Sequence, residues 1–522
     1  MATTAQVIGT WILIAIYASA ILFFVFKGAS RIKGITDYAL GSFSFSPVYV
    51  GLSLAAAMTS AATFVINPGL IANYGVSGVL SYAVFFPLAT VTSLIVLTKS
   101  FRRYGQSVQA VSIASWIGNR YKSQGFSIFI AFLSIILIAF IVLILVALTK
   151  VFASALNANE ITTLAVVVIF VFGYMMFGGA NSMVYTNTIQ AGIMIIVALI
   201  LILSGIPFFK DGFSGFFQSL ASIDPMLVKP TNPTSPLFRD FYEIIFAQIV
   251  VGAAVVCQPH IITKSLMLKK ESDVNKFLVT SVVVEILFFA VVIAGLYARL
   301  VFPDLTLSGQ ALGNDSIIPS YVVKVFSNGV VSTLIGLLII MGLVSAGMST
   351  LEGLIQSIST SITNDLIKPL WSSKKNISDK QYLSINKIAI VVLAIASFII
   401  ARNQLLQPKL SVAILAQNGS YAYFSTLFVP ILMGIFVKNV RKWIPFIAAI
   451  VATAVHFGVF YFLPYLHTKF TVDFGWFNKY IEGDVRNPAI AASTAIVLSI
   501  AVGFGLHLIW KLKPAKIDVA NS

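Results

Sequence analysis

Charge is scarce in this chain: only 10% of its 522 residues are Asp, Glu, Lys or Arg, where a soluble domain carries about a quarter. Such a composition takes lipid as its solvent. Acidic residues are scarcest, 18 against 34 basic ones. The resulting charge of +16 would suit nucleic acid, but the cations fall in short runs between apolar stretches, where membrane topology places them. A single cysteine, Cys257, inside an apolar stretch, excludes an intramolecular disulfide framework, Cys-rich zinc sites and iron–sulfur chemistry. The four histidines, His260, His456, His467 and His507, form no HExxH or comparable metal spacing. Cys257 and His260 lie three apart without a third partner, and no metal motif or phosphate loop is present, so an enzyme finds no support. With no long charged tail and no second compositional regime, 1–522 reads as a single membrane transport domain without nucleic-acid partners.

What is present is apolar: 58% hydrophobic residues, 42 of them Phe, and 34 Gly, fitting a lipid-facing surface and close helix contacts. A span takes about 20 apolar residues, and thirteen segments qualify: 7–27, 44–74, 76–98, 125–154, 161–180, 184–208, 238–262, 277–301, 325–364, 384–402, 410–437, 442–464 and 488–510. The first reads as a retained span, not a cleaved signal peptide. With the N-terminus outside and the C-terminus inside, the clusters around Lys27, Arg102, Lys264, Lys269, Lys374, Lys375, Lys438, Lys513 and Lys516 all fall on the cytoplasmic side. These cations, Lys264 among them, read as topology signal rather than a ligand site. The core has to be helical, because backbone amides in lipid are satisfied within a helix. Of the longer outside segments 209–237, 302–324 and 465–487, the first contains four prolines and reads as an ordered loop.

Two spans are interrupted, and interrupted helices are where transport sites are expected, since freed carbonyls can coordinate a cation. In 44–74 the small and polar stretch from Ala55 to Thr63 is followed by Asn67-Pro68-Gly69, and 238–262 ends in Cys257-Gln258-Pro259-His260. A proline removes an amide donor and kinks a helix, so a purely structural break is the competing reading. In 325–364, Ser345, Ser349, Gly353, Ser357 and Ser361 draw a small polar stripe at four-residue spacing, widened by Thr350. That stripe suits either a helix seam or a set of hydroxyl ligands. The hydroxyls of Ser349 and Thr350 cannot hold a cation alone, and the broken helix can supply the remaining oxygens. Glu352 and Glu285 are acids within spans; Glu352 reads equally as an ion or proton contact and as a structural acid, Glu285 as structural.

These stretches, together with Gly178-Gly179 before Tyr185-Thr186-Asn187-Thr188-Ile189-Gln190 and with Ser349-Thr350 continuing to Asn364-Asp365, resemble the sodium:solute symporter family, whose members include bacterial proline, pantothenate, sialic acid and sugar symporters. The resemblance runs from about Asp37 to Lys438. It implies an all-α, leucine-transporter-like 5+5 inverted repeat with 13 transmembrane helices: a leading helix 7–27, five-helix units 44–208 and 238–437, and two further helices in 442–510. It implies a sodium site of carbonyls at Ala56, Thr59 and Ala346 with the hydroxyls of Ser349 and Thr350. Ser60 and Thr63 match solute-facing positions, and Gln248, Gln258, Gln417 and Tyr421 are polar groups in the corresponding region.

Two departures bear on coupling. Asn187 stands where relatives often carry Asp, which favours one sodium per cycle, and Glu352 stands where many carry a small or polar residue. The span 125–154 contains no arginine to clamp a carboxylate as in the sialic acid members. The expectation is sodium-coupled symport of a small polar organic solute, such as a carboxylate, vitamin or amino acid, across the bacterial cytoplasmic membrane. The alternatives are a proton-coupled or uniport transporter of this fold, or a non-transporting solute sensor. A monomer suffices for this, and a homo-oligomer is compatible with it.

Overall fold

The computed structural model describes residues 4–41, 45–326, 329–371, 378–407 and 412–512. Lys374, Lys375, Lys513 and Lys516 of the charge argument, and the first two residues of the expected span 410–437, lie outside them. Among the described residues ten helices are long and apolar enough to cross a membrane, or up to twelve when each of two bent pairs is counted as one span. In chain order they are α1 (Thr4–Ala29), the bent pair α2 (Pro47–Met58) and α3 (Ala62–Tyr74), α4 (Val76–Ser107), α5 (Gln124–Leu156) and α6 (Glu160–Leu203). A second bent pair follows, α7 (Tyr242–Val255) and α8 (Pro259–Met267), then α9 (Asp273–Val301), α10 (Val330–Ser361), α11 (Asp379–Leu406), α12 (Val412–Phe436), α13 (Trp443–Phe470) and α14 (Pro488–Leu512). The two pairs bend by 55° and 53°, which gives the helix packing an inverted-repeat-like character. The expected spans 161–180 and 184–208 both fall in α6, interrupted at Gly179 (φ 54°, ψ −162°). A Cβ there would stand 2.9 Å from the side chain and carbonyl of Tyr38.

Local chemistry explains both bends. α2 stops at Met58; Thr59 is extended (φ −100°, ψ 95°) and the Ser60 hydroxyl accepts from the Ala62 amide at 3.1 Å, satisfying a backbone donor where α3 begins. In the second pair Gln258 is extended (φ −70°, ψ 144°) and Pro259 opens α8, a position where its missing N–H costs nothing.

α10 runs through the centre, buried along most of its length from Gly336 to Ser361. Its small residues are close-contact points: a Cβ on Gly342 would meet Val197 at 2.6 Å, one on Gly347 would meet Leu148 at 2.7 Å, and one on Gly353 would meet His260 at 3.0 Å. Of these only Gly353 belongs to the small polar stripe, which is therefore a helix seam at that point. The segment 209–237 is ordered, with a helix at Gly212–Ile223 and a short turn at Pro225–Val228.

Segment 465–487 is tied to the start of α7 by Asp240, which accepts from Lys479 Nζ at 2.5 Å and from the Tyr480 hydroxyl at 2.8 Å. Partial burial opposes charge on Asp240, but the hydrogen bonds from Lys479, Tyr480 and the Glu243 amide outweigh it and hold its carboxyl below the usual range. A depressed folded-state value stabilises the fold above the unfolded carboxylate pKa and is lost as pH falls through the depressed value. Asp240→Asn is therefore expected to cost about 0.5–1 kcal/mol at neutral pH, after solvent screening is allowed for. Below about pH 4 the difference shrinks toward zero. Thermal unfolding of the two proteins across that pH range checks both.

Candidate ion and solute site

Where α2 ends, its open carbonyls face the hydroxyl face of α10. Ser349 Oγ donates to the Ala56 carbonyl at 2.7 Å and Thr350 Oγ1 to the Ala57 carbonyl at 3.0 Å. The Ala346 carbonyl lies 3.2 Å from Ser349 Oγ and 3.4 Å from Thr350 Oγ1. Ala56, Thr59, Ala346, Ser349 and Thr350 are all essentially inaccessible, and Thr59 Oγ1 is buried with no hydrogen-bond partner. Four of the five expected ion residues are thus brought into one cluster, with Thr59 at the break beside it. Ala57, which the sequence reading passed over, joins them; only the phase of the helix end could have told it from Thr59. The donor set is neutral oxygen throughout, carbonyl and hydroxyl, which suits a hard, weakly charged cation and not a soft metal. Among the described residues no group of three or more His, Cys, Asp or Glu could hold a metal ion.

The expected solute residues fall on α3, α7, α12 and the two bends. Ser60 and Thr63 flank the break and are 4% and 5% exposed, although the Ser60 hydroxyl is already engaged by the Ala62 amide. Gln248 on α7 and Gln258 at the second bend are buried, and the Oε1 of each lacks a hydrogen-bond partner. Such orphaned acceptors are costly unless something donates to them. α7 packs against α12, which carries Gln417 and Tyr421; Gln417 lies within hydrogen-bonding reach of the Tyr82 hydroxyl, and the Tyr421 ring is tilted 48° to that of Phe424, with centroids 5.0 Å apart. A separate open cleft of 1240 Å³, lined by Gln106, Lys122, Asn364, Asp365 and Lys368 among others, includes none of these residues.

The two coupling candidates meet. Glu352 on α10 is fully buried and accepts from the Tyr174 hydroxyl (2.6 Å), Thr186 Oγ1 (2.7 Å) and Gln190 Nε2 (3.1 Å). The Asn187 amide, with its nitrogen turned toward acceptors, donates to Glu352 Oε2 at 3.1 Å and takes the Lys264 ammonium on its oxygen at 3.0 Å. Lys264 corrects the sequence reading: it is 1% exposed and belongs to this network, not to a solvated topology cluster. The hydropathy limit at 262 cut it off from α8, which continues to Met267 after the proline. Glu285, read as a structural acid, is buried on α9 with neither carboxyl oxygen hydrogen-bonded.

A bundle of apolar helices with two matched breaks and neutral oxygens converging on one of them defines a membrane transporter of the coupled type. The family model for the sodium:solute symporter family matches residues 38–451, and the chain belongs to that family. It is similar to a sodium/pantothenate symporter of Haemophilus influenzae, 26% identical over 72% of this chain and 75% of that one. A high-affinity proline transporter of Bacillus subtilis is 24% identical over 81% and 85%. The substrate-bound, outward-open structure of a Na+-coupled sialic acid symporter superposes with a TM-score of 0.72 at 17% identity, covering 95% of this chain and 98% of that one. The protein is accordingly a sodium-coupled symporter of a small polar organic solute, multi-pass in the plasma membrane, and not an enzyme.

Proposed function

We propose that the co-transported sodium ion binds between the broken end of α2 and α10, on the carbonyls of Ala56, Thr59 and Ala346 and the hydroxyls of Ser349 and Thr350, with Ala57 beside them. The observation that carries this reading is the pairing of the Ser349 and Thr350 hydroxyls with the Ala56 and Ala57 carbonyls at 2.7 and 3.0 Å. A buried cation carries a large desolvation cost, and four or more oxygens from two helices are what offsets it. Sodium held there orders the break in α2 and α3, which shapes the solute pocket of Ser60, Thr63, Gln248, Gln258, Gln417 and Tyr421. The units 44–208 and 238–437 then rock to release both on the other side. Alpha-helical rise makes a 44-residue α6 about 66 Å long if straight, twice the roughly 30 Å of a hydrocarbon core. Split at Gly179 it is two spans, giving thirteen with the N-terminus outside and the C-terminus inside.

For the solute, the orphaned oxygens of Gln248 and Gln258 favour a molecule with hydrogen-bond donors, and none of the six residues is cationic. With pantothenate and proline symporters among the relatives, a hydroxylated or amide-bearing carboxylate or an amino acid is the class to test first. The expected result, in proteoliposomes offered vitamins, amino acids, carboxylates and sugars, is uptake of one class at least tenfold faster under an inward sodium gradient than under potassium, with one sodium per solute. Equal uptake in both salts would sink this reading.

A further inference from the structure

A buried ammonium costs several kcal/mol unless lone pairs and opposite charge are supplied to it. Lys264, on α8, receives the lone pairs from two other elements: its Nζ donates to the Ser53 carbonyl at 2.9 Å and the Ser53 hydroxyl at 2.6 Å on α2, and to the Asn187 oxygen at 3.0 Å on α6. The opposite charge sits beyond Asn187. The amide presents its oxygen to the ammonium and its nitrogen to Glu352 on α10, so a single side chain bridges cation and anion. Glu352 is fixed in turn by Tyr174, Thr186 and Gln190. Four elements, including one half of each bent pair, are thereby joined through one chain of hydrogen bonds.

We propose that Lys264, Asn187 and Glu352 form a charge latch that clamps α2 and α8 onto α6 and α10, and that this latch has to part for the sodium site to open toward the Lys264 end. The role rests on the sodium assignment above. Ser53 precedes Ala56 and Ala57 on α2 by three and four residues, and Glu352 follows Thr350 on α10 by two. The latch and the ion ligands therefore draw the same two helices together within about one turn of each other. Two interactions that favour the same closed arrangement strengthen one another, and the gain is mutual. Lys264 is a positioning residue for sodium and touches none of the ion ligands named above.

The test uses full-length protein in lipid, with sodium titrated against potassium and hydrogen exchange followed in segments 47–58 and 259–267. Lys264→Met with Glu352→Gln removes both charges together and leaves no uncompensated ion, while Asn187→Leu removes the bridge alone. Both variants are expected to exchange at least tenfold faster in those segments and to need about tenfold more sodium for half-saturation, with saturation still reached. Wild-type exchange together with wild-type half-saturation in either variant overturns the latch. If both variants exchange faster but sodium slows exchange in none of the proteins, the latch stands as a gate and the sodium assignment falls.

Discussion

Sodium-driven uptake is expected to collapse when Ser349 and Thr350 are both replaced by alanine. Each hydroxyl faces a carbonyl of α2 from a fully buried position, so in the proposed site each is a ligand that water cannot replace without opening the helix pair. A hydrogen-bonding or ligating contact to a charged species contributes about 1.5–3 kcal/mol. A loss of about 1.4 kcal/mol is tenfold in affinity. Removing both therefore raises the sodium needed for half-maximal uptake by a factor on the order of 100 or more, which no feasible gradient restores. The fold should survive: alanine is the best helix former, the two helices keep their apolar contacts, and the replaced side chains leave no buried donor behind on α10. Uptake against sodium concentration, with thermal stability of the same preparation, checks the claim. A well-folded double variant with wild-type sodium dependence would falsify the ion site. The single variants are expected to fall between, with Ser349→Ala the more damaging because its contact is the shorter.

Much of this site was legible in the sequence because it is made by local rules. A run of small polar residues marks the first break, at Thr59 and Ser60, and a proline opens the new helix at the second; hydroxyls four apart on a helix share a face. The meeting of the two elements came from family resemblance, since no spacing rule says that residue 56 faces residue 349. What stayed hidden is equally specific. Lys264 looked like one more cation at a span boundary, because hydropathy ends a span at its first charges and cannot know that a helix resumes after Pro259 and carries the lysine inward. Glu352 was visible as an intramembrane acid, but its partners Tyr174, Thr186 and Gln190 lie more than 160 residues away in the chain. Ala57 lies beside the expected residues because the helix still holds its carbonyl toward Thr350, while Thr59 has already left helical geometry (φ −100°, ψ 95°), a change of backbone direction that no helical phase announces. The cut expected between spans 161–180 and 184–208 lies within a few residues of the interruption at Gly179, whose positive φ glycine permits.

Gly75→Ala is expected to be nearly as damaging, by a route that never touches sodium. Gly75 closes α3 and opens α4 with φ 71° and ψ −143°, a region only glycine occupies without strain. A side chain there costs about 1–3 kcal/mol in backbone strain alone. The new Cβ would also fall 2.1 Å from the Leu227 carbonyl oxygen and 2.4 Å from its Cα, and both are backbone atoms that no rotamer change can move. The segment 209–237 has to lift. Its hold on the helix turn includes Asn232 Nδ2 on the Tyr74 carbonyl at 3.4 Å, and Phe238, immediately after the segment, packs its ring edge-on to Tyr74 and Tyr82 at 6.0 and 5.2 Å between centroids. Phe238 leads into α7, and Tyr82 lies within hydrogen-bonding reach of Gln417, so lifting the segment is expected to loosen two walls of the proposed solute pocket at once. Overpacking of this kind adds about 1–3 kcal/mol, for a total of about 2–6 kcal/mol. The expected picture is a lower melting temperature and a raised KM for solute, with the sodium dependence of whatever uptake remains unchanged. A Gly75→Ala protein with wild-type melting and KM would mean that segment 209–237 does not rest on this turn.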